Sequence, residues 1–188
     1  CSYSTFADYT VTVTPLPGPP TVSDVTALFG STVTLSASGA SSGESYKWYN
    51  AAGQVSNIIA TTGLSSASTA YSVSRYNTSF PSCETPSAQR PTQILNLYLN
   101  PPPAVSVSPN TCGPKMATLP APPANVTYYW QGTDPAGRSA LAPMGAGFSF
   151  ESSGPHYVNA RANTITNLWS SSTEVLASTS TVNPVDLV

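Results

Sequence analysis

Apolar and polar residues alternate along most of this chain in short runs. In Thr32-Val33-Thr34-Leu35-Ser36-Ala37 the apolar side chains fall on one face and the hydroxyls on the other, the period of two that marks a half-buried strand. Gly39 to Gly43, rich in Ser, breaks that run. A Tyr-rich strand follows and ends near Trp48, then a turn at Gly53, weaker strands around Ile58 and Ala70, a strand over 71–76 and another over 92–99. Tyr9-Thr10-Val11-Thr12-Val13-Thr14 alternates as regularly as any of these. No apolar run approaches the roughly 18 residues of a membrane-crossing helix, so no membrane span is expected.

The pattern occurs twice. Trp48 and Trp130 lie 82 residues apart, each at the end of a Tyr-rich strand, Ser45-Tyr46-Lys47-Trp48 and Thr127-Tyr128-Tyr129-Trp130. Pro19-Pro20 maps onto Pro101-Pro102, Cys1 onto Cys83, and Gly30 onto Gly113 with a slip of one. Tyr71-Ser72-Val73 is set against Tyr157-Val158-Asn159 after an insertion of four. Proline clusters at 15–20 and 101–103 fall between the strand-like runs, where missing N–H donors stop a sheet and fixed backbone angles favour stiff linkers. The expected organisation is an orphan segment over 1–16, a first domain over 17–100 and a second over 101–188. About seven short strands per ~80 residues, with a Trp in the third, predict an all-β chain of two immunoglobulin-like (Ig-like) sandwiches in tandem. Trp48 and Trp130 are the expected core residues between their sheets.

The 9–14 strand precedes the first linker and has no domain of its own. With a slip of two in the repeat register it matches Gln93-Ile94-Leu95-Asn96-Leu97-Tyr98, a last strand without its domain. Either it closes a preceding repeat of a longer array, or it is a donor strand that pairs through Tyr9, Val11 and Val13 with a neighbouring subunit's open edge. A free N-terminal tail is the third reading.

These residues resemble a known family. Pro19-Pro20-Thr21-Val22, Gly30-Ser31-Thr32-Val33-Thr34-Leu35-Ser36-Ala37-Ser38-Gly39, Tyr46-Lys47-Trp48-Tyr49-Asn50, Ala70-Tyr71-Ser72-Val73 and Ser82-Cys83-Glu84 are similar to the tandem Ig-like repeats of large secreted bacteroidete surface proteins, gliding and adhesion proteins among them. The second domain departs from the pattern: four prolines lie between 114 and 123 where its second strand should run, and Gln131-Gly132 follows Trp130. That second strand is expected to be short or broken. The resemblance implies a secreted, cell-surface location and a structural role as stalk or spacer, with neighbouring Ig-like domains or identical subunits as partners. Fold alone does not fix function.

Only 7% of the residues are charged, against about 25% in an ordinary soluble domain. With a formal charge of −2 there is no basic surface for a phosphate backbone, and nucleic-acid binding is not expected. Enzyme chemistry fares no better. His156 is the single histidine, so any Ser-His-acid triad would have to be built on it, and no Gly-x-Ser-x-Gly accompanies it. Following Gly154-Pro155, it reads as a surface residue at a strand end. No close Cys or His pairs suggest zinc, no Asp-rich loop suggests calcium, and no glycine-rich loop suggests a nucleotide. Neither a catalytic site nor a cofactor is expected.

Three cysteines leave at least one thiol without an intramolecular partner. Cys1 and Cys83 precede a last strand, whereas Cys112 precedes a second strand, at the opposite end of a sandwich. The spacing therefore predicts that Cys83 and Cys112 bond outward, to other domains or subunits, with Phe29 and Leu168 as their apolar substitutes in a contact between domains. Unbridged thiols buried as small apolar groups are the alternative. Tyr49 and Tyr129 point to the face opposite the Trp residues and Trp169 lies in a polar turn, so an adhesive, carbohydrate-binding module that stacks sugars on these rings is the second functional reading. Asn77-Thr78-Ser79 and Asn125-Val126-Thr127 are candidate glycosylation sites.

Overall fold

The computed structural model describes Val13 and residues 15–107, 115–144, 147–150 and 154–177. It is an all-β protein of tandem Ig-like sandwiches. The strands are β1 Val25–Leu28, β2 Thr32–Thr34, β3 Glu44–Asn50, β4 Gly53–Val55, β5 Ile58–Ala60, β6 Ser68–Asn77 and β7 Thr92–Tyr98, then β8 Ser106–Val107, β9 Lys115–Thr118, β10 Val126–Trp130, β11 Gly147–Phe150, β12 Gly154–Ala162 and β13 Thr173–Ala177. One sheet runs β1-β7-β6-β3-β4 and a two-stranded sheet pairs β2 with β5. Later in the chain the orders are β10-β12-β13 and β11-β9-β8. β1 and β7 are parallel, and the other paired strands for which a register is resolved are antiparallel.

The chain forms two compact units. Among the described residues, one holds Ser36–Ser56 and Tyr71–Gln93 with those up to Ser23; the other holds Asp24–Leu35, Asn57–Ala70 and those from Ile94 onward. In the first, Trp48, Tyr71 and Val73 are buried, and Trp48 is flanked in its sheet by Val73 on β6 and Val55 on β4. In the second, β7 shows why alternation makes a half-buried strand. Leu95 and Leu97 face inward while Ile94 and Asn96 are half-covered. Val126, Tyr128, Val158, Ala160, Ala162, Ile165, Leu168 and Val175 are buried in the same unit. β9 is four residues long and lies between Pro114 and Pro120, which cannot donate to a ladder; the short strand matches the proline pattern.

The repeat is visible in backbone pairing. Trp48 faces Val73 across β3 and β6, and Trp130 faces Val158 across β10 and β12. After each long strand the chain returns in the same way. Tyr76 bridges Glu84 and Arg161 bridges Trp169. The Asn77 amide donates to the Cys83 carbonyl at 3.0 Å, and the Ala162 amide to the Leu168 carbonyl at 3.1 Å. A buried hydroxyl, Thr85 or Ser170, then accepts the amide of Arg75 or Ala160, at 3.1 and 2.9 Å.

Two sequence expectations are corrected by this register. Val73 corresponds to Val158, not to Asn159, so the insertion between the copies is one residue shorter than the Tyr71–Tyr157 match implies. A slip of one reverses the face of every side chain, and His156, not Tyr157, takes the place of Tyr71. His156 is accordingly buried, third in β12 and opposite Val175, rather than exposed at a strand end. Trp130 is only half-buried, unlike the 4%-exposed Trp48. It ends β10, although backbone pairing with β12 runs on past it, the Gln131 amide donating to the Tyr157 carbonyl at 2.9 Å and the Tyr157 amide to the Gly132 carbonyl at 2.8 Å, while the Trp130 amide donates to the Ala142 carbonyl at 3.0 Å.

Candidate functional site

The outward side of each long-strand pair carries a cluster of side chains at equivalent positions. Residues 47, 76 and 84 in the first copy correspond to 129, 161 and 169 in the second. In the first copy they are Lys47, Tyr76 and Glu84. The Lys47 ammonium lies 3.0 Å from a Glu84 carboxylate oxygen, donates to the Pro81 carbonyl at 2.7 Å, and sits 4.5 Å from the centre of the Tyr76 ring. Arg90 forms an ion pair with the other Glu84 oxygen and covers the Tyr49 ring at 3.9 Å. The Tyr49 hydroxyl donates to the same carboxylate at 3.1 Å. Burial alone would raise the Glu84 pKa, but hydrogen bonds from Lys47 and Tyr49 and the charges of Lys47 and Arg90 outweigh it and hold the carboxyl below its usual value. The cluster is closed on itself.

In the second copy the three positions hold Tyr129, Arg161 and Trp169. The two rings lie 5.5 Å apart, tilted by 58°. The Arg161 guanidinium stands 5.5 Å from the Trp169 ring centre and 6.0 Å from that of Tyr129, a cation–π arrangement. Its Nε donates to the Thr166 carbonyl at 3.1 Å. All three side chains are half-exposed. Thr127, opposite Arg161 in the register, donates its hydroxyl to the Asn163 side-chain oxygen at 2.7 Å. The rest of this face lies under the loop after β10. Gln131 exchanges hydrogen bonds with Ser139, at 2.8 and 3.0 Å, and the Asn159 amide donates to the Gly137 carbonyl at 3.3 Å. A Cβ at Gly137 would stand 2.7 Å from the Gln131 oxygen, so only glycine lets the loop close on Gln131 without displacement.

The residues singled out in the sequence are distributed as follows. Tyr9, Val11 and Cys112 lie outside the described residues, as does all of the 9–14 strand except Val13, which is 80% exposed. Cys83 is half-buried and carries no disulfide; its amide donates to the Phe80 carbonyl at 2.8 Å. Phe29 and Leu168 are both buried, Phe29 hydrogen-bonded through its amide to the Tyr98 carbonyl at 2.9 Å and Leu168 to Ile165 at 3.1 Å. The Asn77 side-chain oxygen accepts the amides of Ser79 and Phe80, 2.9 and 3.1 Å, whereas Asn125 is exposed. Of the aromatic trio, Tyr49 is occupied by Glu84 and Arg90, while Tyr129 and Trp169 come together. Sequence reasoning missed Arg161, which separates from Trp169 by eight residues and meets it only through the turn after β12. Trp130 stacks on the buried His156, ring centres 5.0 Å apart. Among the described residues no group of three His, Cys, Asp or Glu could hold a metal ion, and no helix is long and apolar enough to cross a membrane.

No protein-family model and no curated protein matches the chain. Among solved structures it is similar to a chimeric titin Z1Z2-Z1Z2 tandem carrying a GRGDS peptide from fibronectin, 16% identical over 86% of this chain and 100% of that one, TM-score 0.28. The FN1-FN3 domains of chicken CNTN1 are 11% identical over 88% of this chain and 66% of theirs, TM-score 0.29. Likeness at this level carries no functional argument.

Proposed function

We propose that this chain is a structural segment of an extracellular stalk or filament, built from serial Ig-like domains over 17–100 and 101–188 in the manner of bacteroidete surface adhesins. The observation that carries the reading is the repetition itself: the same return bridge, the same amide-to-carbonyl bond and the same buried hydroxyl recur in both copies. Tandem copies of one unit suit a spacer, because each adds length without new chemistry and spreads load over backbone hydrogen bonds. In this reading residues 1–16 lend the 9–14 strand, through Tyr9, Val11 and Val13, to a preceding domain or a neighbouring subunit. The exposure of Val13 supports it. Cys83 and Cys112 bond outward, Phe29 and Leu168 form apolar contacts between successive domains, and Asn77 and Asn125 carry glycans where the host attaches them. No catalytic role is assigned, since the most heavily engaged acid, Glu84, is neutralised by its own partners.

The test compares the full chain with one that begins at residue 17. At concentrations where the full chain is monomeric, the shortened chain is expected to keep its melting temperature, because the strand belongs elsewhere. A fall of several degrees on removing 1–16 from that monomer shows that the strand completes its own molecule and overturns the reading. Light scattering on the full chain separates the two forms of it: concentration-dependent growth marks a polymer of subunits, a monomer marks one long array.

A further inference from the structure

We propose that Tyr129, Arg161 and Trp169 form a binding platform for an acidic saccharide, a sugar whose ring carries a carboxylate. The first copy acts as an internal control. There the cation of the cluster, Lys47, finds its carboxylate within the chain, on Glu84. In the second copy the position of Glu84 is taken by Trp169, and among the described residues no carboxylate pairs with Arg161. The substitution therefore removes the internal anion and sets a flat indole in its place. Charge is left open beside an apolar surface.

The ligand that satisfies both features has a C–H face to lie on Trp169 and Tyr129 and an anion to meet the guanidinium. A uronic-acid pyranose has both, and its hydroxyls suit the Thr127 hydroxyl and Asn163 amide that continue the outward row. An acidic peptide offers the charge without the ring face. Stacking by amphipathic rings and charge-assisted hydrogen bonding by Arg are the strong contributions at such a surface. Arg161 is held for the task, its Nε hydrogen-bonded to the Thr166 carbonyl and its guanidinium carbon 5.5 Å from the Trp169 ring centre and 6.0 Å from that of Tyr129. The site goes beyond a load-bearing role: its absence leaves the stalk reading standing, and its presence would make the second copy adhesive.

The experiment titrates the full chain with an oligogalacturonate and with a neutral galactose oligomer of equal length, following tryptophan fluorescence and heat. Expected is binding of the acidic oligomer at least tenfold tighter than the neutral one. Arg161→Gln should bring the acidic oligomer down to the neutral level, Arg161→Lys should retain part of the preference, and Trp169→Ala should abolish binding of both. Trp169→Phe, which keeps a ring, should retain binding, so that a misfolded Trp169→Ala leaves the question decided by the other variants. No binding of the acidic oligomer by the wild-type chain, equal binding of the two oligomers, or an Arg161→Gln variant that binds like wild type overturns the proposal.

Discussion

Single residues carry the evidence that the two copies solve the same local problems with different side chains. Before β3 the chain turns at Gly43, with φ of +80°, and before β10 it turns at Asn125, with φ of +61°. Each accepts on its carbonyl the amide that follows its partner strand, Thr78 at 2.8 Å and Asn163 at 2.9 Å. A side chain at Gly43 meets no atom within 4 Å, so the cost of replacing it is conformational alone. Gly43→Ala should destabilise by about 1–2 kcal/mol, the left-handed penalty of an L-residue, and Gly43→Asn by distinctly less, since Asn tolerates that region and already holds the twin position; thermal melts of the two variants rank them. Glu84 gives a second prediction. Its folded pKa lies below its ordinary value, so its contribution is fully present above the ordinary carboxylate range, near pH 4–5, and disappears as pH falls through the folded value. Denaturation midpoints measured from pH 6 to pH 2 should drop more steeply for wild type than for Glu84→Gln over that acid window. A variant with the same slope would show the cluster to be worth nothing. The carboxylate was visible in the sequence only as an isolated acid, because its partners Lys47 and Arg90 come from different strands and loops.

At the scale of elements, what was legible was whatever a period of two records. β7 follows its alternating residues closely, and the prolines around β9 explain its shortness. Registers between copies were less legible, because they are set by pairing across strands and not by resemblance along them. Tyr71 and Tyr157 look equivalent, yet Trp48–Val73 and Trp130–Val158 make His156 the true counterpart. The polar His156 broke the apolar pattern that would have shown it facing inward. Position within an element also separates the two tryptophans. Trp48 lies inside β3 with a strand on either side, whereas Trp130 terminates β10. Trp48→Ala should therefore cost about 3–5 kcal/mol, the range for an enclosed aromatic, and Trp130→Ala roughly half as much, in proportion to the apolar area each keeps from water. Urea unfolding of both variants measures the difference, and equal losses would mean that Trp130 is as enclosed as its twin. Arg161 and Trp169 were equally hidden, because the turn after β12 folds residues eight apart onto one another.

For the whole molecule the proposed stalk reading turns on how one copy of the chain would be linked to a neighbour, and the cysteines make that measurable. Cys83 stands in the return turn after β6, and its counterpart in the second copy is Leu168, which is fully enclosed, whereas Cys83 keeps part of its surface in solvent without a disulfide. A half-open thiol at a position where the twin is apolar and buried fits a contact completed by another molecule. In the sequence repeat Cys112 takes the place of Phe29, so the outward pairing proposed for the stalk would join Cys83 of one chain to Cys112 of the chain before it. Under mild oxidation, peptide mapping should find a Cys83–Cys112 crosslink whose yield rises with protein concentration, and Cys83→Ser should abolish the ladder of linked chains on a non-reducing gel. A bridge within one chain would form equally well at any dilution, since its ends are already tethered, and would require the two Cα atoms to approach within about 7 Å. Concentration dependence thus separates the alternatives without reference to strength of binding. An intramolecular bridge would remove the outward link from the stalk reading while leaving the platform on Trp169 untouched, because Arg161 and Tyr129 are held by β10, β12 and the turn after β12 and not by either cysteine.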